Sequence, residues 1–422
     1  MYNSRLNFNN YIFLMAVLAL LAFIFNLAPV VLALFLLVIA YIIKFNFSPW
    51  YTLVLLFLAP LTTPNVQVDD VFMIGFYIIA AIVLLYDAFK QKRFVRLGKL
   101  AIPLILFLDV SIIGLFVARQ WIDALEGALL MGIVLLAYVY FVNVIRYEKD
   151  MFERLTRLII AVAILSTIQS ILVALIEFRQ IQAVIEQSVM SVYPHLIAIP
   201  LVVYHIRHSQ ARSFWIMVFF MLAGGIILSF SYARIFTLMM MVMFFVPYWF
   251  LRSTRKGKIL AFVSITLVSS MIVSLIVPFY GVIIDQLSDR LIEYIEVQLA
   301  AMRVGLSTFT SNILLGTGGL RTTQQVMEEA GQALGTYQNI FLETASLGII
   351  GLLAFLYLQV KKVTLLVRVE RGLRYVLMVL FISTVFVGGL FEAVYYALPH
   401  LLLLFLVLAT AEISAHYNKQ AR

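Results

Sequence analysis

SFWIMVFFMLAGGIILSFSYARIFTLMMMVMFFVPYWFL, residues 213–251, is a pair of apolar runs joined by a turn that carries one arginine, Arg234. Each run is long enough for a helix to cross about 30 Å of hydrocarbon. Neither alternates every second residue, as a strand of a membrane barrel does. A chain that contains such a pair is read as a helical membrane protein. The whole chain agrees, with 422 residues of which 64% are hydrophobic and 12% charged, and a mean hydropathy of +1.05. That composition excludes a soluble globular domain.

Working outward, apolar runs of spanning length are read at 10–27, 28–44, 49–63, 71–89, 98–118, 124–145, 155–176, 192–207, 213–231, 233–251, 259–283, 340–360, 372–390 and 397–415. The third and eighth are short, so the expected fold is an all-α polytopic transmembrane bundle of about 12–14 spans. No internal repeat or low-complexity tail divides the chain, which is read as one integral membrane domain over 1–422. The first run lacks a small-residue cleavage site and is followed by more spans, so it is expected to stay as an anchor.

Lysine and arginine then orient the bundle. The connections KQKRFVRLGK (90–99), RYEKDMFERLTR (146–157), RSTRKGK (252–258) and KKVTLLVRVERGLR (361–374) are basic. With both termini in the cytoplasm, all 30 Lys and Arg residues lie inside except Arg119, Arg179, Arg234, Arg290, Arg303 and Arg321. The net charge of +9 is therefore assigned to cytoplasmic loops, and no nucleic-acid partner is expected. The expected address is the plasma (inner) membrane. The long hydrophilic stretch 284–339 then falls outside as one large extracytoplasmic loop with short helices, a length that points to function. There is no cysteine, which removes disulfides, thiolate catalysis and cysteine metal sites.

Six arginines on the outside without a lysine suggest anion binding, because the guanidinium fork matches phosphate oxygens and stays charged when buried. For Arg234, at the start of a span, the alternative is a side chain snorkelling to the headgroups. Arg303 lies on an amphipathic stretch in which Leu299, Met302, Leu306 and Phe309 share one face, so a helix resting on lipid is the competing view. Gly316 and Gly318, in LLGTGGL, fit either a phosphate-cradling turn or a plain connection. They lack the lysine of a nucleotide loop, and no nucleotide is expected. His195, in SVYPHLIAIPL, is the one histidine placed at the outer lip of a span, where it serves either as a general base or as a structural group. Asp109 is the carboxylate at mid-span, expected in a structural pair. No His/Asp/Glu cluster has metal spacing, and no metal or cofactor is expected.

Several of these stretches resemble the O-antigen polymerase and O-antigen ligase superfamily of membrane glycosyltransferases. TYQNIFLETASLGIIGLLAFL at 336–356 is similar to that family's HN-x-x-L…G-x-x-G-x-x-x-F pattern, with Asn339, Gly348, Gly351 and Phe355 in place. ILLGTGGL at 313–320 resembles the glycine turn of its large loop, LSFSYARIFTL its Ser-Arg span start, and YPHLIAIPL, more weakly, an N-P-N-x-x-A element. The resemblance covers roughly 190–360.

The resemblance implies a donor carried on a polyprenyl diphosphate, a catalytic site at the outer face, and the lipid bilayer as setting. It assigns Arg234 and Arg303, with Arg290 in support, to the diphosphate. It assigns His195 or Glu343 to deprotonating the acceptor, and Gln338, Asn339, Gly316 and Gly318 to orienting substrate. A chain-length regulator is a further partner it suggests. Where the ligases carry histidine this chain has Gln338, which cannot act as a base. The expected activity is therefore polymerisation of repeat units, with ligation to a lipid or protein acceptor as the alternative. A polysaccharide or lipid-linked-sugar transporter is the competing class, disfavoured by the lack of paired halves.

Overall fold

The computed structural model describes residues 7–62, 71–90, 96–118, 121–145, 147–148, 150–176, 193–228, 232–250, 299, 303, 306–307, 309–310, 312–318, 344, 346–389 and 398–420. Over these it is helical, without a strand. Thirteen α-helices follow in order: α1 Phe8–Ile24, α2 Ala28–Lys44, α3 Pro49–Leu58, α4 Val71–Lys90, α5 Ala101–Gly114, α6 Trp121–Val144 and α7 Met151–Ile176. They continue with α8 Tyr193–His208, α9 Arg212–Leu228, α10 Tyr232–Phe250, α11 Gly348–Leu366, α12 Arg371–Phe381 and α13 Leu398–Gln420. A 3₁₀ turn, Ala59–Thr62, extends α3, and a π-helical segment, Ile382–Gly388, extends α12. The expected run 259–283 lies outside the described residues.

Local chemistry sets the ends. Asn7 caps α1 by accepting the Asn9 N–H at 3.1 Å. The turns after α1 and α2 each place an asparagine in the left-handed region, Asn26 and Asn46, both with φ 54°. That conformation returns the next amide to the helix, Leu27 N–H to Ala22 O at 2.8 Å and Phe47 N–H to Ile42 O at 3.0 Å. Pro29 and Pro49 stand in the first turns of α2 and α3, where a missing N–H costs nothing.

Ala124–Val144, Gly348–Leu366 and His400–Tyr417 are long and apolar enough to cross a membrane. Shorter apolar helices of 10–17 residues surround them. Large apolar side chains line the outside, Phe116 at 88% and Phe13 at 71% exposure among them, as suits lipid rather than water. The chain is on these grounds membrane-associated. Helix α13 is the axis: nearly every residue from Leu401 to Ala415 is buried, and it packs on α6, α7, α8 and α11. Where lipid replaces water, close packing and internal hydrogen bonds hold such a helix, since lipid tails are as apolar as its leucines.

The helices alternate between two ends. Arg157 reaches Asn9 Oδ1 at 2.8 Å, which sets the starts of α7 and α1 side by side. Thr156 meets His205 at 2.9 Å and Thr167 meets His195 at 2.6 Å, so α7 and α8 are antiparallel. Lys44, Lys99, Arg157, Arg207, Arg212 and Arg371 gather at one end, here called the basic end. His195 and Arg234 begin helices at the other.

At the basic end a polar joint ties three helices. Glu412 of α13 accepts the Lys99 N–H at 3.0 Å and the Tyr138 hydroxyl of α6. That hydroxyl in turn accepts the Leu100 N–H at 3.1 Å. The first amides of α5, which have no partner within their own helix, are thus closed by side chains of two others. Replacing Glu412 by Ala leaves buried donors unmatched, a cost of about 2–4 kcal/mol. Thermal unfolding in lipid nanodiscs is expected to show a lowered Tm for Glu412→Ala and a smaller loss for Glu412→Gln. An unchanged Tm in Glu412→Ala means the joint does not hold the bundle.

Candidate functional site

Two of the candidate side chains stand at the end opposite the basic one, each in the first turn of its helix. His195 follows Pro194 at the start of α8, with its ring 1% exposed. Its Nε2 lies 2.6 Å from Thr167 Oγ of α7. Arg234, near the start of α10, is also 1% exposed and is among the largest fully buried side chains. With Thr237, Met241 and Phe245 it forms the buried stripe of α10, at the spacing of one helix face. The guanidinium is therefore turned into the bundle. A head resting at the surface, the snorkelled alternative, is not what the structure has.

Arg303 is placed differently. It is helical and exposed, as are Leu299 at 49% and Leu306 at 65%. The apolar face expected of this stretch is thus uncovered, as it would be on a helix lying against lipid. Arg290, Gln338, Asn339 and Glu343 lie outside the described residues.

The glycine turn is built into the fold. Residues 312–318 dock onto the start of α11 and the end of α5. The Thr317 and Gly318 amides both donate to Ser346 O, at 2.9 and 3.0 Å, and the Gly316 amide to Asn312 O at 2.7 Å. The Ile349 amide returns a bond to Ile313 O at 2.8 Å. Gly316 and Gly318 have φ of 60° and 96°. A Cβ on Gly318 would lie 2.5 Å from Gly114 O, and one on Gly114 would lie 1.8 Å from Gly318 O. The amides that would have cradled a phosphate are committed to backbone carbonyls. The turn is thereby anchored to the bundle.

Asp109 departs from expectation. It lies on the exposed face of α5 beside Leu106 and Ile113, and among the described residues it forms no ion pair. Lys362 departs too. The basic connection 361–374 was expected to begin before it, yet α11 runs to Leu366 and buries Lys362 completely. Its ammonium lies 5.1 Å from the Phe405 ring centroid, and buried His400 and Gln359 stand nearby on α13 and α11. The stripe Gly351, Phe355, Leu358, Lys362 and Leu366 has helical spacing, a signal that extends past the last apolar residue. Among the described residues no three His, Asp or Glu side chains are grouped as metal ligands.

Neither a family model nor a curated protein sequence matches this chain.

The docked turn gives a direct test. Gly114→Ala and Gly318→Ala each force backbone against a side chain, with an expected loss of about 1–3 kcal/mol. Limited proteolysis in detergent should then cut the loop around 312–318 faster than in the wild type. Equal cutting rates in both variants would show that the turn is not anchored by this contact.

Proposed function

We propose that this protein is a polytopic inner-membrane glycosyltransferase. It polymerises polyprenyl-diphosphate-linked oligosaccharide repeats into a cell-surface polysaccharide at the outer face. In this reading both termini and the basic end face the cytoplasm, the bundle has about 12–14 spans, and the loop 284–339 covers the site from outside.

The observation that carries the reading is Arg234. A cation in the first turn of a helix sits at the positive end of the helix dipole, which disfavours it. Burying it there adds a desolvation cost. A guanidinium buried in the first turn of α10 is placed to take part in holding an anion, and a diphosphate matches its fork. His195, the candidate base, starts a helix at the same end. The anchored glycine turn stands at that end as well.

The chemistry follows. The acceptor hydroxyl oxygen attacks the anomeric carbon of the donor, and the bond from that carbon to the diphosphate breaks. The polyprenyl diphosphate leaves with the electron pair, and the acceptor proton passes to His195 or Glu343. Arg234 and Arg303, with Arg290, stabilise the charge that grows on the leaving group. Gln338 and Asn339 orient sugar or phosphate oxygens. Gly316 and Gly318 contribute by holding the loop. Enclosure by the loop keeps water from consuming the donor.

A transporter is the second reading, because Lys362 and His400 are ionisable groups buried within the bundle, and such groups often mark translocation paths. Purified protein in liposomes with a polyprenyl-diphosphate oligosaccharide separates the two. The expected result is a ladder of new glycosidic bonds. Relocation of donor without bond formation would establish the transporter instead. Arg234→Ala should lower polymerisation by about 10²–10³-fold. Arg303→Ala should lower it with unchanged Tm, since that side chain is exposed. Wild-type ladders in both variants would sink the assignment.

A further inference from the structure

Helices α7 and α8 make the same contact twice. Toward the basic end, Thr156 Oγ donates to Phe152 O at 2.7 Å and lies 2.9 Å from His205 Nε2. About three turns further along α7, Thr167 Oγ donates to Ala163 O at 3.1 Å and lies 2.6 Å from His195 Nε2. A threonine hydroxyl has a single proton. With that proton on the carbonyl four residues back, a standard bond for threonine within a helix, the oxygen meets the imidazole with a lone pair and the ring nitrogen facing it bears the hydrogen.

The third helix treats the two pairs differently. Over His205, α9 lays the Trp215 ring, stacked at 4.5 Å between centroids and 17° between planes. Over His195 it presents Gly225. A Cβ at Gly225 would lie 2.9 Å from His195 Nε2 and 3.1 Å from Thr167 Oγ. The backbone of α9 thus runs beside the Thr167–His195 contact, which has its space because residue 225 carries no side chain. The His205 pair lies under an indole, whereas the His195 pair lies beside bare backbone at the end where Arg234 is buried.

We infer that Thr167 is a positioning residue that holds His195 as its Nε2–H tautomer, which makes Nδ1 the nitrogen that receives the acceptor's proton. The second half of this rests on the glycosyl-transfer reading above. During transfer the acceptor O–H bond breaks as its oxygen bonds the anomeric carbon, and the proton moves to Nδ1. The resulting imidazolium keeps its Nε2–H bond to Thr167 Oγ, so the ring need not flip between steps. Gly225 supports the same arrangement by leaving space for the ring.

Nitrogen NMR on ¹⁵N-histidine-labelled protein in nanodiscs tests this, with the His195 signals assigned by their loss in His195→Gln. The expected wild-type spectrum has a protonated Nε2 and a lone-pair Nδ1. Thr167→Val should erase that preference and Thr167→Ser should keep it. In the polymerisation assay, Thr167→Val should lower kcat about 10–100-fold with KM within about twofold. Thr167→Ser should recover most of the rate, and Thr156→Val should leave kcat at the wild-type value. An Nδ1–H tautomer in the wild type overturns the inference, as does full kcat in Thr167→Val. An Nε2–H tautomer in a protein that forms no glycosidic bond overturns the glycosyltransferase reading alone, with Thr167's hold on the ring intact.

Discussion

Backbone groups inside a lipid-facing bundle have no water to bond, so each helix end must find its partners within the protein. Two joints meet that demand at opposite ends. At the basic end, Glu412 and Tyr138 close the first amides of α5. At the other, Ser346 O takes two amides of the glycine turn while Ile313 O takes the Ile349 amide at the start of α11. Both joints involve α5, and each brings in a helix distant in sequence, α13 in one case and α11 in the other. With α5 tied at both ends, the central α13 and the loop-bearing α11 are fixed relative to one another. That fixes the glycine turn at the end where His195 and Arg234 begin their helices.

The two ends differ in the cations they hold. The basic end carries exposed ion pairs such as Arg157 with Glu153 at 2.5 Å, which solvent and salt weaken and which add little stability. Arg234 at the other end is buried, where charge interactions are strong and desolvation is costly. Lys362 is also buried, yet its setting differs. It lies in the later half of α11 against the Phe405 ring. A cation over an aromatic face is stabilised in place, whereas a guanidinium beside first-turn amides adds positive charge to positive charge. The first arrangement suits a packed lysine; the second is the one that the proposed diphosphate site draws on.

Much of this fold was legible in the sequence, because hydrophobic runs report burial directly. The runs read at 28–44, 155–176 and 192–207 correspond to α2, α7 and α8 almost residue for residue. The run at 340–360 did not, since α11 starts at Gly348 and continues to Leu366. Gly348 has φ 64°, a turn conformation that an apolar pattern conceals. At its far end, Lys362 looked like a loop residue because the pair Lys361–Lys362 ends an apolar run, although its place on the buried stripe of α11 was already set by helical spacing. The arginine of the site was legible from its sign and position, but its burial was not. Outward or inward rotation of a first-turn residue depends on which helices pack beside it.

Thr167 shows a deeper limit. A threonine within an apolar helix carries no signal by itself, since its hydroxyl can bond its own backbone and needs no further partner. Only the pairing of Thr156 with His205 and of Thr167 with His195, on antiparallel helices with nearly equal spacings, marks it out. The two contacts use the same atoms, and the structure separates them by what α9 lays on top, an indole in one case and a bare backbone in the other. A stacked indole immobilises a ring by covering its face. At His195 the bare backbone lies on the Nε2 side of the ring, beside the Thr167 oxygen, and leaves the ring room there. If fixing direction is what a proton acceptor requires, the glycine is as much a part of the site as the histidine, and a larger residue at 225 would lose function before it lost the fold.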